Sequence, residues 1–272
     1  FDVQLATQRK YWAYLPTLIS LTLAMLVKLA AAPLLALYLV LLARRAYSTA
    51  EAPLGQRLKK VALTVTSAGL MSGVTALVLY LPYWQGWTLE QILFTFTSTP
   101  ASQSSNGSIL YAIVVWNREH PLPEIGSWVY YLLTIFGQHR TWNIINAVTM
   151  GGALLVGAIW IWRSASTRTL ALAGLATLGT VLIVTSWFYP WYITWIAGLA
   201  VIVLPVEGQR VARMWLAFTL VFSASAFGVY LYANYLSPLG GWNWASCIVV
   251  LLPPLLTLLL FRLLPASGVS NE

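Results

Sequence analysis

The sequence is poor in charged residues and in the side chains that most often bind metals. Only 8% of its 272 residues are charged, whereas 59% are hydrophobic, and the mean hydropathy is +0.75. Soluble domains carry roughly 25% charged residues, so a soluble fold is excluded. The single cysteine, Cys247, excludes an internal disulfide and a cysteine metal site. It lies within an apolar run, where a packed thiol is expected.

Long apolar runs fill most of the chain instead. Several reach the ~20 residues that a helix needs to cross a bilayer. The runs are continuous rather than alternating, which predicts helices and argues against a barrel. We therefore predict an all-α polytopic membrane protein, with a single transmembrane domain over 1–272. About six full spans are expected, at 61–81, 144–162, 170–187, 192–204, 214–232 and 245–264.

The basic residues predict the topology of these spans. The chain has 15 Lys and Arg against 7 acids, and they cluster at the ends of the apolar runs. Such clusters mark the cytoplasmic side of a membrane, so the net charge of +8 does not indicate nucleic-acid binding. All clusters except Arg118 and Arg140 fall on one side. The sequence predicts that this side, with the C-terminus, is cytoplasmic.

The apolar run at 15–43 contains one charge, Lys28, followed by Pro33. As a single helix it would be ~43 Å long, well beyond a bilayer core of ~30 Å. It would also bury an ammonium group at a cost of ~3 kcal/mol. We favour a hairpin of two short helices, with Lys28 near an outer turn and both basic ends on the cytoplasmic side.

A long outer loop is predicted at 83–142. Thr88 is a suitable N-cap for a short amphipathic helix at 89–97 that would lie on the membrane surface. Two more short apolar segments follow, at 109–116 and 128–136. Loops this long are usually functional. The loop holds both histidines and three of the seven acids, which are Glu90, Glu119 and Glu124.

Aromatic residues and a proline crowd the stretch at 186–195. Such residues form the interfacial belts of membrane proteins. Flat aromatic faces also hold sugar rings and lipid head groups. Because the topology places this stretch on the outer face with the long loop, both interpretations of Tyr189, Trp191 and Tyr192 stay open.

Three segments together resemble a known class of enzymes. The first runs from Arg9-Lys10-Tyr11-Trp12 through Lys28 and Pro33 to Arg44-Arg45; the second is the turn at 80–86; the third is the stretch at 186–195. In order and spacing they resemble the C-terminal part of the GT-C class of membrane glycosyltransferases. The similarity is to the bacterial mannosyltransferase-like branch, which uses polyprenyl-phosphate sugars.

The resemblance implies a reaction on the outer face of a bacterial plasma membrane. A hydroxyl of a lipid or glycan acceptor would attack the anomeric carbon of a polyprenyl-phosphate hexose, mannose-like, with inversion. The family's usual base is an aspartate in an early outer loop. The only aspartate, Asp2, is predicted on the cytoplasmic side and is not assigned this role. Because the sequence begins at Phe1, we expect an N-terminally truncated fragment, inactive alone, with its base upstream.

The resemblance also implies that the donor phosphate needs cations or a metal ion. No two acids have convincing metal-ligand spacing, so no metal site or cofactor is assigned, and a divalent metal is left as an alternative. Glu90, Glu119 and Glu124 are runner-up bases or ligands. The candidates for phosphate binding are Lys28, Arg140, Arg118 and His139, with His120 as a further loop cation.

Aromatic side chains are the candidates for the sugar and the prenyl chain. They are Tyr189, Trp191, Tyr192 and Trp84. Membrane lipids would be further partners. Two other functions stay open: a secondary transporter, which would place ionisable groups at mid-membrane and show repeated halves, and a non-catalytic lipid-binding subunit.

Overall fold

The structure, a computed structural model, describes residues 14–48, 53–97, 139–184, 190–203, 210–231 and 244–263, together with residues 109, 112 and 135. Within these residues every regular element is helical, which confirms the all-α class. The α-helices are α1 (Leu15–Val27), α2 (Ala32–Ser48), α3 (Leu54–Tyr80), α4 (Leu89–Thr97), α5 (His139–Arg163), α6 (Thr167–Val184), α7 (Thr194–Val203), α8 (Arg210–Leu231) and α9 (Trp244–Leu263). Short 3-10 helices cover Leu29–Ala31, Leu81–Tyr83 and Pro190–Ile193.

Four of the described helical segments are long and apolar enough to cross a membrane. They are Leu29–Ser48, Leu54–Tyr83, Arg140–Arg163 and Thr167–Val184. This agrees with a multi-pass membrane protein, but the predicted count of about six spans is not confirmed. The other apolar helical stretches with described side chains are shorter, at Leu15–Val27, Arg213–Gly228 and Ala245–Phe261. The predicted span at 192–204, for example, is a 3-10 turn followed by the ten-residue α7, which is about 15 Å long.

Prolines determine where several helices begin. Pro16 and Pro33 lie in the first turns of α1 and α2, and Pro53 is the N-cap of α3. Proline is tolerated there because the first N–H groups of a helix have no partner inside it. A continuous helix through 15–48 would place Pro33 in its interior. The chain breaks at Lys28 instead, where φ is −152° and ψ is 117°.

Helices α1 and α2 fold back on each other at this break. Leu18 of α1 and Tyr38 of α2 lie in the same cluster of buried side chains, although they are 20 positions apart along the chain. Two collinear helices would hold these residues about 30 Å apart. The chain thus folds back at Lys28 within the predicted hairpin of 15–43. Its second helix is not short, however, because with the preceding 3-10 turn it forms the segment Leu29–Ser48, which is long enough to cross a membrane.

The chain forms two compact units. The first comprises 1–96 and 151–178. Its core gathers buried side chains of α1, α2, α5 and α6, among them Leu18, Leu41 and Ile161. At Gly157 a Cβ atom would lie 3.1 Å from the Cδ2 atom of Leu37, so glycine allows α5 to approach α2 closely.

The second unit comprises 97–150 and 179–272. Helices α8 and α9 pack together in it, and Phe218 and Phe222 of α8 are fully buried in edge-on contact. Gly179 of α6 packs against Phe218. The predicted single domain over 1–272 stays a prediction.

The predicted outer loop is described only in part. Helix α4 has the predicted bounds of 89–97, and Thr88 caps it as predicted. The predicted segments at 109–116 and 128–136 fall outside the described residues, apart from the isolated helical positions 109, 112 and 135.

Candidate functional site

Lys28 lies in the break between α1 and the 3-10 turn that precedes α2. Its N–H donates to the carbonyl of Ala24 at 2.9 Å, which caps the C-terminus of α1. A cation is favoured at this end of a helix dipole. The side chain is half-buried, and burial lowers the pKa of Lys28 below its usual range. A phosphate beside the ammonium would counter this effect because it favours the charged form.

Tyr80 ties the Lys28 turn to the end of α3. Its hydroxyl donates to the carbonyl of Leu26 at 2.7 Å. That carbonyl belongs to the last turn of α1, where carbonyls lack a partner within the helix. The bond therefore satisfies an orphan acceptor and brings the C-terminus of α3 beside the residues that precede Lys28.

An aromatic turn continues from Tyr80. The centroid of the Tyr80 ring lies 5.3 Å from that of the Trp84 ring and 6.2 Å from that of the Tyr83 ring. The N–H of Trp87 donates to the carbonyl of Trp84, and the turn needs Gly86 because its φ is +82°. Tyr80 thus contacts Trp84 through its ring and the segment before Lys28 through its hydroxyl. Lys28 and Trp84, two of the predicted site residues, therefore lie at the same end of the first unit.

Helix α4 follows this turn and borders a cavity. Its start is a reciprocal capping box. The N–H of Gln91 donates to the Thr88 hydroxyl at 3.3 Å, and the N–H of Thr88 donates to the Gln91 side-chain oxygen at 2.8 Å. The cavity measures about 340 Å³, within the usual range for ligand pockets. Its described lining is Trp87, Glu90, Gln91 and Phe94.

Glu90 is the one acid among the described residues. It is exposed and lies in the first turn of α4, where the helix dipole favours a negative charge. The cavity thus combines a carboxylate, an amide and two aromatic rings. Sugar hydroxyls can form hydrogen bonds with the carboxylate and the amide, and the face of a sugar can stack on the aromatic rings.

The second unit holds the other described candidates. Arg140 is exposed in the first turn of α5. The indole N–H of Trp142 donates to the carbonyl of Val184 at 2.9 Å, which joins the start of α5 to the end of α6. Tyr192 is half-buried and stacks on Trp195 at 4.4 Å. One face of the Tyr192 ring is therefore occupied by the protein itself.

The remaining predicted residues have no described side chain. Arg118, His120, Glu119, Glu124 and Tyr189 lie outside the described residues. His139 and Trp191 belong to described helices, but only their backbone is placed. In the described part of the chain, no group of three or more His, Cys, Asp or Glu side chains could hold a metal ion.

Known proteins add no assignment to these residues. No family model matches the chain, and no curated protein or solved structure matches it. The function is therefore inferred from the side chains of the Lys28 turn, the aromatic turn and the cavity.

Tyr80 was not predicted as a site residue, because no local signal connects it to Leu26, 54 positions away. The cavity residues Trp87 and Phe94 were also missed. The spacing of Thr88 and Gln91 predicts a capped helix, and an aromatic turn just before a capped amphipathic helix is the signal that could have found them.

Proposed function

We propose that this chain binds the donor in a membrane glycosyltransferase. It would transfer a mannose-like hexose from polyprenyl phosphate to a lipid or glycan acceptor. One observation carries the proposal: the hydrogen bond between Tyr80 and Leu26. It supports donor binding because it brings a lysine and a group of aromatic faces to the same end of an apolar helical unit. A phosphorylated, lipid-linked sugar needs this combination.

We assign a group of side chains to each part of this donor. The phosphate meets the Lys28 ammonium in a charge-assisted hydrogen bond. The sugar lies against the aromatic turn at Trp84 and in the adjoining cavity. The prenyl chain follows exposed apolar side chains at the end of α3, such as Leu77, and in the 3-10 turn after it, such as Leu81.

The reaction breaks the bond between the anomeric carbon and the phosphate oxygen as the acceptor hydroxyl attacks from the opposite face. Polyprenyl phosphate leaves with both bonding electrons. Lys28 would stabilise the charge that develops on this leaving group. A general base must take the hydroxyl proton. We assign that base outside the described residues, with Glu90 beside the cavity as the alternative.

The proposed topology has about six spans in a bacterial plasma membrane, with the C-terminus in the cytoplasm. It is supported by the polarity of α3, which carries Arg57 and Lys60 near its start and Tyr80 at its end. If the basic end is cytoplasmic, the Lys28 turn faces outward.

The test compares two lysines at opposite ends of the first unit. The protein is placed in nanodiscs with radiolabelled polyprenyl-phosphate mannose, and binding is measured for Lys28→Met and for Lys59→Met. A lost charge-assisted hydrogen bond is worth ~1.5–3 kcal/mol, so Lys28→Met should weaken binding by about tenfold or more. Lys59 is exposed at the start of α3, and its variant should bind as the parent does. Equal losses would contradict the proposal.

A further inference from the structure

Cations and aromatic rings contact one another at the end of the first unit opposite the Lys28 turn. The guanidinium of Arg44 lies 5.9 Å from the centre of the Trp162 ring, which in turn lies 5.8 Å from the Tyr47 ring. The guanidinium of Arg57 lies 5.6 Å from the Tyr47 ring. Residues of α2, α3 and α5 thus converge there, with each cation over an aromatic face.

A hydrogen bond fixes the position of Arg44. Its Nε–H donates to the carbonyl of Trp162 at 2.7 Å. That carbonyl lies in the last turn of α5, where it has no partner within its own helix. The bond uses one of the five donors of the guanidinium group and holds the group at the helix end.

Arg168, six positions after Trp162 in the sequence, has a hydrogen-bond donor without a described acceptor. Its Nε atom is buried, and no described residue accepts a hydrogen bond from it. Arg168 lies in the first turn of α6, which begins just after Arg163 and the linker at 164–166. The hydroxyl of Ser166 caps this helix by accepting from the N–H of Thr169 at 3.0 Å. A cation at a helix N-terminus is opposed by the dipole, and an anion would relieve this repulsion.

Few acids are available to neutralise this basic end. The cations in its helices are Arg44, Arg45, Arg57, Lys59, Lys60, Arg163 and Arg168. The only acid in the sequence between residues 3 and 89 is Glu51, which lies outside the described residues. Glu90, the described acid, lies beyond the opposite end of α3. One carboxylate cannot balance so many cations, so the positive charge is in excess.

We propose that this basic end binds the phosphate of an anionic phospholipid. Arg168 and Arg44 would donate to the phosphate oxygens, and Trp162 and Tyr47 would lie at head-group level. Basic pockets between membrane helices bind anionic head groups in this way. A lipid is favoured over free phosphate because exposed apolar side chains continue from the site. Leu58 and Leu63 of α3 are 54% and 62% exposed, which leaves an apolar surface for an acyl chain.

The experiment uses the protein in nanodiscs that contain phosphatidylcholine and phosphatidylglycerol. The lipids retained after transfer into detergent are counted by native mass spectrometry. Arg168→Gln should lower the retained ratio of phosphatidylglycerol to phosphatidylcholine by about fivefold, since a cation near anionic lipid contributes ~1 kcal/mol. The matched control is Arg213→Gln, which removes an equal charge from an exposed position of α8 in the second unit and should leave the ratio unchanged. If both variants lowered the ratio equally, lipid binding would reflect diffuse surface charge, and the proposed site would be wrong.

A second measurement does not depend on how the variants fold. In the parent protein, phosphatidylglycerol should raise the thermal midpoint relative to phosphatidylcholine alone. Inorganic phosphate, added to protein in phosphatidylcholine, should not reproduce the rise. An equal rise with inorganic phosphate would overturn the lipid assignment, and no rise with phosphatidylglycerol would overturn the site.

Discussion

The Tyr80 hydroxyl has a structural role that its ring does not share. The ring packs beside Trp84 in the aromatic turn, while the hydroxyl reaches the carbonyl of Leu26 at the end of α1. Through this bond α3 helps to fix the backbone on which Lys28 lies. Tyr80 is therefore a positioning residue in the proposed donor site.

Replacing Tyr80 with phenylalanine separates these two roles. Tyr80→Phe keeps the ring but leaves the Leu26 carbonyl without its donor. We expect the protein to lose about 1 kcal/mol of stability, and its affinity for polyprenyl-phosphate mannose to fall severalfold. Thermal unfolding in nanodiscs measures the first effect and radiolabel binding the second. Tyr83→Phe is the control, because that ring also contacts Tyr80 but is 75% exposed. A stability loss without weaker binding would remove Tyr80 from the donor site.

Single positions could be predicted from sequence where the signal is local. Lys28 is the only charge in a long apolar run, and the break in the helix occurs there because Pro33 is best accommodated in a first turn. Thr88 precedes an amphipathic segment and caps it. The partner of Tyr80 could not be predicted in this way, because it depends on how α1 and α3 pack.

Helix α9 is continuous across Pro253 and Pro254, although proline cannot donate to the carbonyl four residues earlier. The carbonyl left free by Pro254 is that of Val250. The single hydroxyl proton of Ser225 in α8 is shared between this carbonyl, at 3.0 Å, and the Phe222 carbonyl of its own helix, at 3.1 Å. A neighbouring helix thus supplies the donor that proline lacks, as membrane helices with internal proline require.

This compensation can be measured as a coupling between two helices. Ser225→Ala should lower stability by about 1–2 kcal/mol, because a buried acceptor loses its partner. In a Pro254→Ala background, the restored N–H can bond to Val250, so the same serine substitution should cost much less. Unfolding of the two single variants and the double variant gives the coupling energy. Ser223→Ala is the control, since that hydroxyl bonds within its own helix, to Thr219. Additive effects would show that Ser225 does not compensate for Pro254.

Helix boundaries were predicted less well than helix positions. Helix α3 begins at Leu54 rather than at 61, and α5 begins at His139 rather than at 144. Hydropathy marks the end of an apolar run, whereas Arg, Lys and Gln are good helix formers and extend a helix beyond it. For α3 the start is set by Pro53, just before the basic residues. The consequence for function is that His139 and Arg140 belong to a helix rather than to a loop.

The class of the whole molecule could be predicted from composition alone, because no soluble fold can bury so much apolar surface. The number of spans could not. Hydropathy treats every apolar run as a candidate, and the described α7 is only ten residues long. Whether such a short helix reaches across a bilayer depends on its neighbours and on tilt, which a single run does not encode.

The orientation of the whole molecule can be tested along α3. Its 27 residues extend about 40 Å, more than the ~30 Å bilayer core, so its two ends should lie on opposite sides of the membrane. Gln56 near its start and Gln85 just after its end are both exposed, and the native Cys247 is buried. In intact cells an impermeant maleimide should label Gln85→Cys and not Gln56→Cys. After the cells are opened, both should react, which controls for intrinsic reactivity. Labelling of position 56 in intact cells would reverse the topology, and the proposed donor site would then face the cytoplasm.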